Sequence, residues 1–455
     1  MTAAPQGREA PGLVSSASLT LVTRVAAFGF SLVTNIILAR ALGPEGRGIY
    51  AVAVLIPAVI SLLVQLGIGP ANVYYLSKGL IDPDELVAHS IALALLLGIV
   101  FFLLVIGYVE VSKTAQFLGI ASQYALVACL ALPFVLLTVF LMGILQGAQR
   151  FVHFNLLLLS QYALPAVALV VALLLHRSTL SAVASYTAST ALTAGVALYC
   201  VAPLPRAFVR MRRRTLRSLL RFGLISYLST VTSFVNYRFD VFIVNFFAGA
   251  RQVGLYSVGT GLAEIVWYIS NAASIVLAPR AAAAEREEAD RLTESVGRVV
   301  AFTTLVAAGL LALAAPLIVV VFFGTAFAES VWAVWLLLPG IVTFAVGRIL
   351  SMYLLGRNKL TIDLLAASTG TVVTIALDLV LIPRFGFRGA AVASSIAYTC
   401  AMLVNLVWVT RNSSISLRAL LIPRRHDARV IWTRIKAAGL PGLIGIGRPH
   451  RGPAN

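Results

Sequence analysis

Charged residues are scarce in this 455-residue sequence: Asp, Glu, Lys and Arg together make up 11%, whereas hydrophobic residues make up 60%. Soluble globular domains carry roughly 25% charged and 45–50% apolar residues, so the composition excludes a soluble protein. Cysteine and histidine are also rare. The three cysteines have no paired spacing, and the five histidines have no metal-ligand spacing. These shortages exclude a disulfide framework and a common zinc site, and we expect no cofactor.

The sequence also lacks the motifs of common enzymes. It contains no GxxxxGK[ST] phosphate-binding loop and no nucleophile–base arrangement suited to hydrolysis. Gly67 and Gly69 lie inside an apolar run rather than at a strand-to-helix turn, so they are not a dinucleotide fingerprint. We therefore predict a protein that is not an enzyme and does not use ATP.

Positive charge is in excess, with 35 Lys and Arg against 17 Asp and Glu and a net charge of +18. In a soluble protein this balance would suggest a nucleic-acid partner. No basic patch with interleaved aromatic residues is present, however, and the charge lies mainly between apolar runs. This placement is typical of topology signals in membrane proteins, so we expect no nucleic-acid partner.

Apolar runs long enough to cross a bilayer dominate the chain. About 20 apolar residues are needed to span the hydrocarbon core as a helix, and the runs lack the alternation of barrel strands. The sequence therefore predicts an all-α integral membrane protein with about twelve transmembrane helices. The predicted spans are 17–41, 49–77, 86–109, 120–146, 152–175, 179–203, 219–247, 253–279, 298–323, 331–354, 360–383 and 388–411.

Lys and Arg concentrate on the side of the membrane that holds the two termini, so the positive-inside rule predicts that both termini are cytoplasmic. We expect the first apolar run to remain as a span, because it is full length and follows a polar stretch. The densest basic loop divides the chain, and its arginines are Arg206, Arg210, Arg212, Arg213, Arg214, Arg217 and Arg221. The predicted segments are a cytoplasmic N-terminal segment (1–16), a first six-helix lobe (17–203), a basic linker (204–218), a second six-helix lobe (219–411) and a basic cytoplasmic tail (412–455).

The two halves contain an internal repeat. The loop after the first span and the loop after the seventh share residues at a constant spacing of 206. The matched pairs are Gly43 with Gly249, Gly48 with Gly254, Tyr50 with Tyr256, and Val52 with Val258. A second echo, at a spacing of 209, relates Gly147 to Gly356. Because six spans separate the copies, the repeat is parallel, which is typical of transporters with a path between two lobes. Duplication without transport is the alternative.

Polar residues recur at helical spacing, with intervals of three, four or seven, in four repeat-related spans, which places them on one face of each helix. They are Thr20, Arg24, Ser31 and Asn35; Ser61, Gln65 and Asn72; Ser226, Ser229, Ser233, Asn236 and Asp240; and Ser257, Thr260, Glu264, Tyr268, Asn271 and Ser274. Because polar faces are costly in lipid, they should face one another or a water-filled cavity. The alternative is that the charged members form interhelical ion pairs that only fix packing.

We predict that a central cavity binds substrate through the residues Arg24, Asn35, Gln65, Asn236, Arg238, Tyr268, Asn271 and Arg348. Asp240 and Glu264 are candidates for ion coupling. The arginines outnumber the two acids, and guanidinium groups suit phosphate, whereas the hydroxyl and amide groups suit sugars. A cation transporter would more often have an acidic excess.

Several short motifs, taken in order, resemble the Wzx-type oligosaccharide flippases of polysaccharide biosynthesis, which belong to the multidrug/oligosaccharidyl-lipid/polysaccharide exporter superfamily. The motifs are ARALGPEGRGIY at 39–50, QLGIG at 65–69, LQG at 145–147, RFG at 221–223, VGLYSV at 253–258, PR at 279–280 and LIPRFGFRGAAV at 381–392. Asp378 departs from the family pattern, which often has a polar amide there. The resemblance implies two six-helix lobes that form a V around a cationic cavity in a bacterial plasma (inner) membrane protein.

The same resemblance implies transfer of a polyprenyl-pyrophosphate-linked oligosaccharide from the cytoplasmic to the outer leaflet. It also implies membrane lipids, and a polysaccharide polymerase complex, as candidate partners. The alternative within the superfamily is a proton- or sodium-coupled multidrug exporter. A membrane scaffold is disfavoured by the embedded polar stripes, and a membrane glycosyltransferase is disfavoured by the short outer loops.

Overall fold

A computed structural model describes residues 13–112, 116–202 and 213–421, and this part of the chain is almost entirely helical. The α-helices are α1 (Leu13–Val64), α2 (Ile68–Ser77), α3 (Pro83–Ser112), α4 (Ser122–Cys129), α5 (Leu132–Gly147), α6 (Phe151–Leu175), α7 (Thr179–Val201), α8 (Arg213–Ala263), α9 (Trp267–Ala283), α10 (Arg286–Ile318), α11 (Ser330–Gly356), α12 (Leu360–Phe385), α13 (Phe387–Asn412) and α14 (Leu417–Leu421). A two-stranded hairpin, β1 (Gln116–Phe117) and β2 (Ile120–Ala121), precedes α4.

Two helices each contain two predicted spans, joined at a glycine. Helix α1 is interrupted at Gly43, where φ is 67° and ψ is −177°, and α8 is interrupted at Gly249, where φ is 81° and ψ is 171°. Glycine adopts a positive φ without the penalty that a Cβ imposes. Since these glycines are partners in the sequence repeat, the same break recurs at matched positions.

In the described residues, nine helices are long and apolar enough to cross a membrane. Two of them, Val22–Val64 and Arg238–Ser274, each overlap two predicted spans. Helix α7 accounts for the sixth predicted span but is rich in Ser and Thr, and it is not among the nine. Every predicted span is therefore essentially helical, and the prediction of an all-helical membrane protein is confirmed.

The chain forms two compact units. The first comprises 1–263, 312–337 and 370–397, and the second comprises 264–311, 338–369 and 398–455. A cluster in the first unit packs Ile68, Leu136, Phe140 and Leu219 together at full burial, and one in the second unit packs Leu350 against Leu354 and Leu420. The division into lobes at 17–203 and 219–411 follows the repeat and stays a prediction.

The repeat recurs in the packing of the first unit. A Cβ on Gly48 would overlap the carbonyl group of Ala250, and a Cβ on Gly254 would overlap the carbonyl group of Pro44. Pro44 and Ala250 are themselves separated by the repeat spacing of 206. The contact is therefore reciprocal, as expected for two copies related by a pseudo-twofold axis.

The second pair of repeated glycines, Gly147 and Gly356, makes a similar close contact in each unit. In the first unit, a Cβ on Gly147 would lie 3.1 Å from the Cα of Val73. In the second unit, a Cβ on Gly356 would lie 3.1 Å from the backbone nitrogen of Ala282. Val73 and Ala282 also correspond at a spacing of 209. Each copy of the repeat thus uses its glycine for the same close helix contact.

Candidate functional site

A buried carboxylate, Asp240, lies in α8 within the first unit and is 5% exposed. The backbone N–H of Val241 donates to its Oδ1 at 2.8 Å, and the Tyr256 hydroxyl donates a short hydrogen bond to its Oδ2. Tyr256 is fully buried, and its hydroxyl lies 3.5 Å from that of Ser394 in α13. Asp240 is therefore surrounded by groups from two parts of α8, which lie on either side of its kink, and from α13.

A second carboxylate, Asp378 of α12, lies close enough to Asp240 for the two charges to interact. Asp378 is fully buried, and neither of its carboxylate oxygens has a hydrogen-bond partner among the described residues. Two buried carboxylates that were both charged would repel each other, and Asp378 would carry its charge with no hydrogen-bond donor among the described residues. The pair can be neutralised by a proton or a cation, so it is suited to bind one.

The predicted site did not include Asp378, although the sequence holds a signal for it. Thr371, Thr374 and Asp378 follow at intervals of three and four, which places them on one face of α12. Thr374 is buried together with Asp378. A search for polar stripes in the eleventh span would have found this face.

Asn35, a predicted cavity residue, is bound by an arginine of the same helix. The Arg47 Nη2 donates to Asn35 Oδ1 at 2.5 Å, and Asn35 Nδ2 donates to the Ser31 carbonyl at 2.8 Å. Arg47 lies between the first two predicted spans, yet it is only 7% exposed, and its Nε has no hydrogen-bond partner among the described residues. The first unit therefore contains a buried arginine that the predicted site did not include.

The other end of the first polar stripe is also partly used in packing. Asn155 Nδ2 of α6 donates to the Thr20 hydroxyl at 3.1 Å. Arg24, between Thr20 and Asn35, is exposed, and Gln65 is half-buried in the turn that separates α1 from α2. Arg24 is thus the member of this stripe that remains accessible as a cation.

Three predicted residues of the second unit, Glu264, Tyr268 and Asn271, lie at a break in the eighth span or just after it. A single 3₁₀ turn, Glu264–Val266, separates α8 from α9, and such turns in membrane helices mark hinges or binding sites. Tyr268 is exposed, whereas Asn271 and Glu264 are half-buried. The Trp267 ring lies 4.8 Å from that of Phe344.

Arg348 follows Phe344 by one helical turn in α11. It is half-buried, and its Nε has no hydrogen-bond partner among the described residues. Arg238 of the first unit is half-buried too, whereas the side chain of Asn236 lies outside the described residues. Because the predicted cavity draws on both units, its assembly stays a prediction.

The described residues contain no group of three or more His, Cys, Asp or Glu side chains that could hold a metal ion. The first unit brings together the buried acids Asp240 and Asp378, and it also holds the buried Arg47 and the exposed Arg24 on a helix of membrane-spanning length. These groups can bind a small cation and an anionic ligand.

Solved structures share this fold over nearly the whole chain. A lipid II flippase, MurJ, in an inward closed conformation matches with a TM-score of 0.75 and 14% identity, over 95% of this chain and 94% of that one. An inward-facing multidrug resistance MATE transporter matches with a TM-score of 0.63 and 17% identity, over 86% and 97%. A transporter of the MOP superfamily from Pyrococcus furiosus matches with a TM-score of 0.60 and 18% identity, over 87% of this chain and 94% of that one. At these identities the likeness shows the fold alone.

Sequence comparison supplies the family. No curated protein gives a significant match. The profile of the family described as "Polysaccharide biosynthesis protein" matches residues 13–285, which is more than half of the chain. The chain therefore belongs to this polysaccharide biosynthesis protein family.

Proposed function

We propose that this protein is a flippase that moves a polyprenyl-pyrophosphate-linked oligosaccharide from the cytoplasmic to the outer leaflet of the bacterial plasma membrane for cell-surface polysaccharide synthesis. Membership of the polysaccharide biosynthesis family carries the proposal. The fold that the chain shares with a lipid II flippase supports it, because that protein also handles a lipid-linked saccharide. Both termini would be cytoplasmic.

The pyrophosphate would dock on arginine side chains. Arg24 is an accessible cation on a membrane-spanning helix, and Arg348 has a guanidinium nitrogen without a partner among the described residues. Arg238 is the third candidate. The sugar would meet the amide and hydroxyl groups of Gln65, Asn236, Tyr268 and Asn271. A membrane potential that is negative inside favours outward movement of the anion: two charges crossing 100 mV gain ~4.6 kcal/mol.

The acid pair Asp240 and Asp378 would couple this movement to a cation. Since both groups are buried and Asp378 lacks a hydrogen-bond donor among the described residues, binding of a proton or a monovalent cation would relieve their repulsion. Loading and unloading would then favour different packings of α8, α12 and α13, which carry the surrounding groups. Glu264, at the break in the eighth span, is the other coupling candidate.

A cation-coupled multidrug exporter is the second candidate function. The shared fold with MATE transporters and the buried acid pair favour it. The family match and the arginines at Arg24, Arg238 and Arg348 favour the flippase, because a binding site for organic cations would be destabilised by fixed positive charge.

A leaflet-accessibility assay tests the proposal. Liposomes would carry a fluorescent polyprenyl-pyrophosphate saccharide in both leaflets, and an impermeant quencher would be added outside. We expect the wild type to expose the protected half of the signal, and Arg24→Ala and Arg238→Ala to slow this exposure. Arg291→Ala is the matched control, because Arg291 is highly exposed and pairs only weakly with Glu287 on its own helix.

Two outcomes would count against the flippase. If the wild type exposes no more signal than empty liposomes, the proposal that the protein transports this lipid is wrong. If the same liposomes instead take up an organic cation along a proton or sodium gradient, the exporter replaces it.

A further inference from the structure

A buried arginine of the first unit, Arg47, has unused hydrogen-bond donors. The residue is 7% exposed, and its Nη2 donates to Asn35 Oδ1 at 2.5 Å. Its Nε is buried without a partner among the described residues, and Arg47 forms no ion pair with any of them. The titratable group within its electrostatic reach is Tyr50 rather than a carboxylate. Because a guanidinium has five N–H donors and an uncompensated buried charge is costly, Arg47 is suited to receive an anion.

Arg47 extends a polar face of α1 that begins at Arg24. Arg24 and Asn35 are separated by eleven residues of the helix before its kink. That separation is close to three turns, so the two residues share a face and lie roughly 16 Å apart along the axis. In the predicted topology Arg24 lies in the cytoplasmic half of the first span and Asn35 in the outer half. Since Arg47 is bonded to Asn35, one face of α1 has a cation toward each end.

The contact between the two kinks lies directly beside Arg47. The next residue, Gly48, is buried and packs so closely on the second repeat that a Cβ on it would lie 2.9 Å from the backbone nitrogen of Gly254. Separation of the kinks would therefore uncover the guanidinium toward the predicted outer side. A ligand that binds Arg47 only in the separated state would stabilise that state.

We propose that Arg47 is a second docking site for the pyrophosphate of the lipid-linked saccharide, reached once the outer side opens, an inference that rests on the proposed function. A guanidinium can donate through two nitrogens to two oxygens of one phosphate group. Arg24 would hold the anion near the cytoplasmic side and Arg47 near the outer side, so the headgroup would meet a cation at both ends of its path. Until the anion arrives, Asn35 holds the guanidinium in place.

The competing role of Arg47 is structural, because its bond to Asn35 joins the two halves of α1 across Gly43. Arginine modification by phenylglyoxal, read by peptide mass spectrometry on the purified full-length protein, tests the guanidinium itself. In the wild type, Arg47 should react about tenfold more slowly than Arg251, because reaction requires local opening. Arg251 is the matched control, since its side chain is 65% exposed beside the second kink. In Gly254→Ala, which separates the kinks, Arg47 should react faster.

Anion binding is then measured as protection in Gly254→Ala. Saturating inorganic pyrophosphate should slow modification of Arg47 by about tenfold and leave Arg251 within about twofold, because only a bound ligand shifts the accessible population of a site. Bilayer phospholipid is the other source of phosphate. The lipid-linked saccharide should therefore protect Arg47 at a lower concentration than phosphatidylglycerol does. Equal protection of Arg47 and Arg251 would indicate an adventitious ion only, and equal protection by the two lipids a general phospholipid site. Either result would overturn the inference.

Two replacements separate the charge of Arg47 from its bond. Gln and Lys can both donate to Asn35, but only Lys keeps the charge. Arg47→Gln should slow flipping by about tenfold, equal to about 1.4 kcal/mol, and Arg47→Lys by less than about threefold. Both variants must elute as monodisperse protein. Equal rates in the two variants would make the role structural and overturn the inference.

Failure of this inference and failure of the proposed function give different results. If the wild type flips the lipid but pyrophosphate does not protect Arg47, the docking site is wrong and the flippase stands. If the wild type flips no lipid while pyrophosphate still protects Arg47, the flippase is wrong and the anion site stands.

Discussion

Gly254→Ala tests whether the two kinked helices separate during transport. In the structure, a Cβ on Gly254 would lie 2.8 Å from the carbonyl carbon of Pro44 and 3.2 Å from the backbone nitrogen of Gly48. Carbon atoms pack at about 3.5–4.0 Å, so the kink of α1 must move away by roughly 1 Å. The carbonyl oxygen of Pro44 is closer still, and because all three obstacles are backbone atoms, no side-chain rotation can relieve them.

The expected cost follows from this geometry. Overpacking by one methyl group typically destabilises the packed state by about 1–3 kcal/mol. At about 2 kcal/mol, the population in which the two kinks touch falls by roughly 30-fold relative to one in which they are apart. A protein that alternates between these states would then spend more time open on the predicted outer side, and flipping would slow.

The measurement is a distance between spin labels on Glu45 and Arg251, two exposed residues beside the kinks. We expect a longer and broader distribution in Gly254→Ala than in the wild type. Gly261→Ala is the matched control, because Gly261 lies in the same helix and a Cβ on it would have no atom of a neighbouring residue within 4 Å. If the two variants give the same distances and the same flipping rate, the contact is not an obstacle to alanine and the reasoning fails.

Three further predictions follow from individual contacts. Asp378→Asn removes one titratable group from the acid pair, so flipping should lose its dependence on a proton or sodium gradient; an unchanged dependence would exclude the pair from coupling. Asn245→Leu removes the hydrogen bond to the Leu118 carbonyl, worth about 1 kcal/mol, and should raise hydrogen exchange at 116–121 without changing α10. Asp290→Ala loses bonds from Tyr353, Ser414 N and the Ser414 hydroxyl, about 3 kcal/mol in all, and should expose 412–421 to protease, whereas Glu288→Ala, an exposed neighbour, should not.

Hydropathy predicted the helices, and the repeat spacing matched the two glycines at which α1 and α8 are interrupted, because both signals depend on local properties of the chain. A run of apolar residues must span lipid whatever its neighbours are. Gly43 and Gly249 could be matched because a backbone with positive φ tolerates few other residues. The sequence placed loops at both glycines, whereas in the structure the chain stays helical on either side of each of them.

The partners of the polar residues could not be predicted in the same way. Helical periodicity shows which residues share a face, but not which helix that face meets. Asp240 was therefore identified without Tyr256 or Asp378, although all three are buried in one unit. Arg47 lies beyond the first apolar run, and that position gives no sign that its side chain reaches Asn35.

The matched tyrosines indicate how the two repeats have diverged. Tyr256 donates to Asp240, whereas its repeat partner Tyr50 lies within electrostatic reach of Arg47. The two copies thus share a kink and a tyrosine but surround charges of opposite sign. The fixed positive charge of Arg47 in the first copy needs no exchangeable ion, whereas Asp240 and Asp378 beside the second tyrosine can bind a proton or a cation. If so, replacing Arg47 by the neutral Gln should leave the cation dependence of flipping unchanged, whereas Asp378→Asn should remove it.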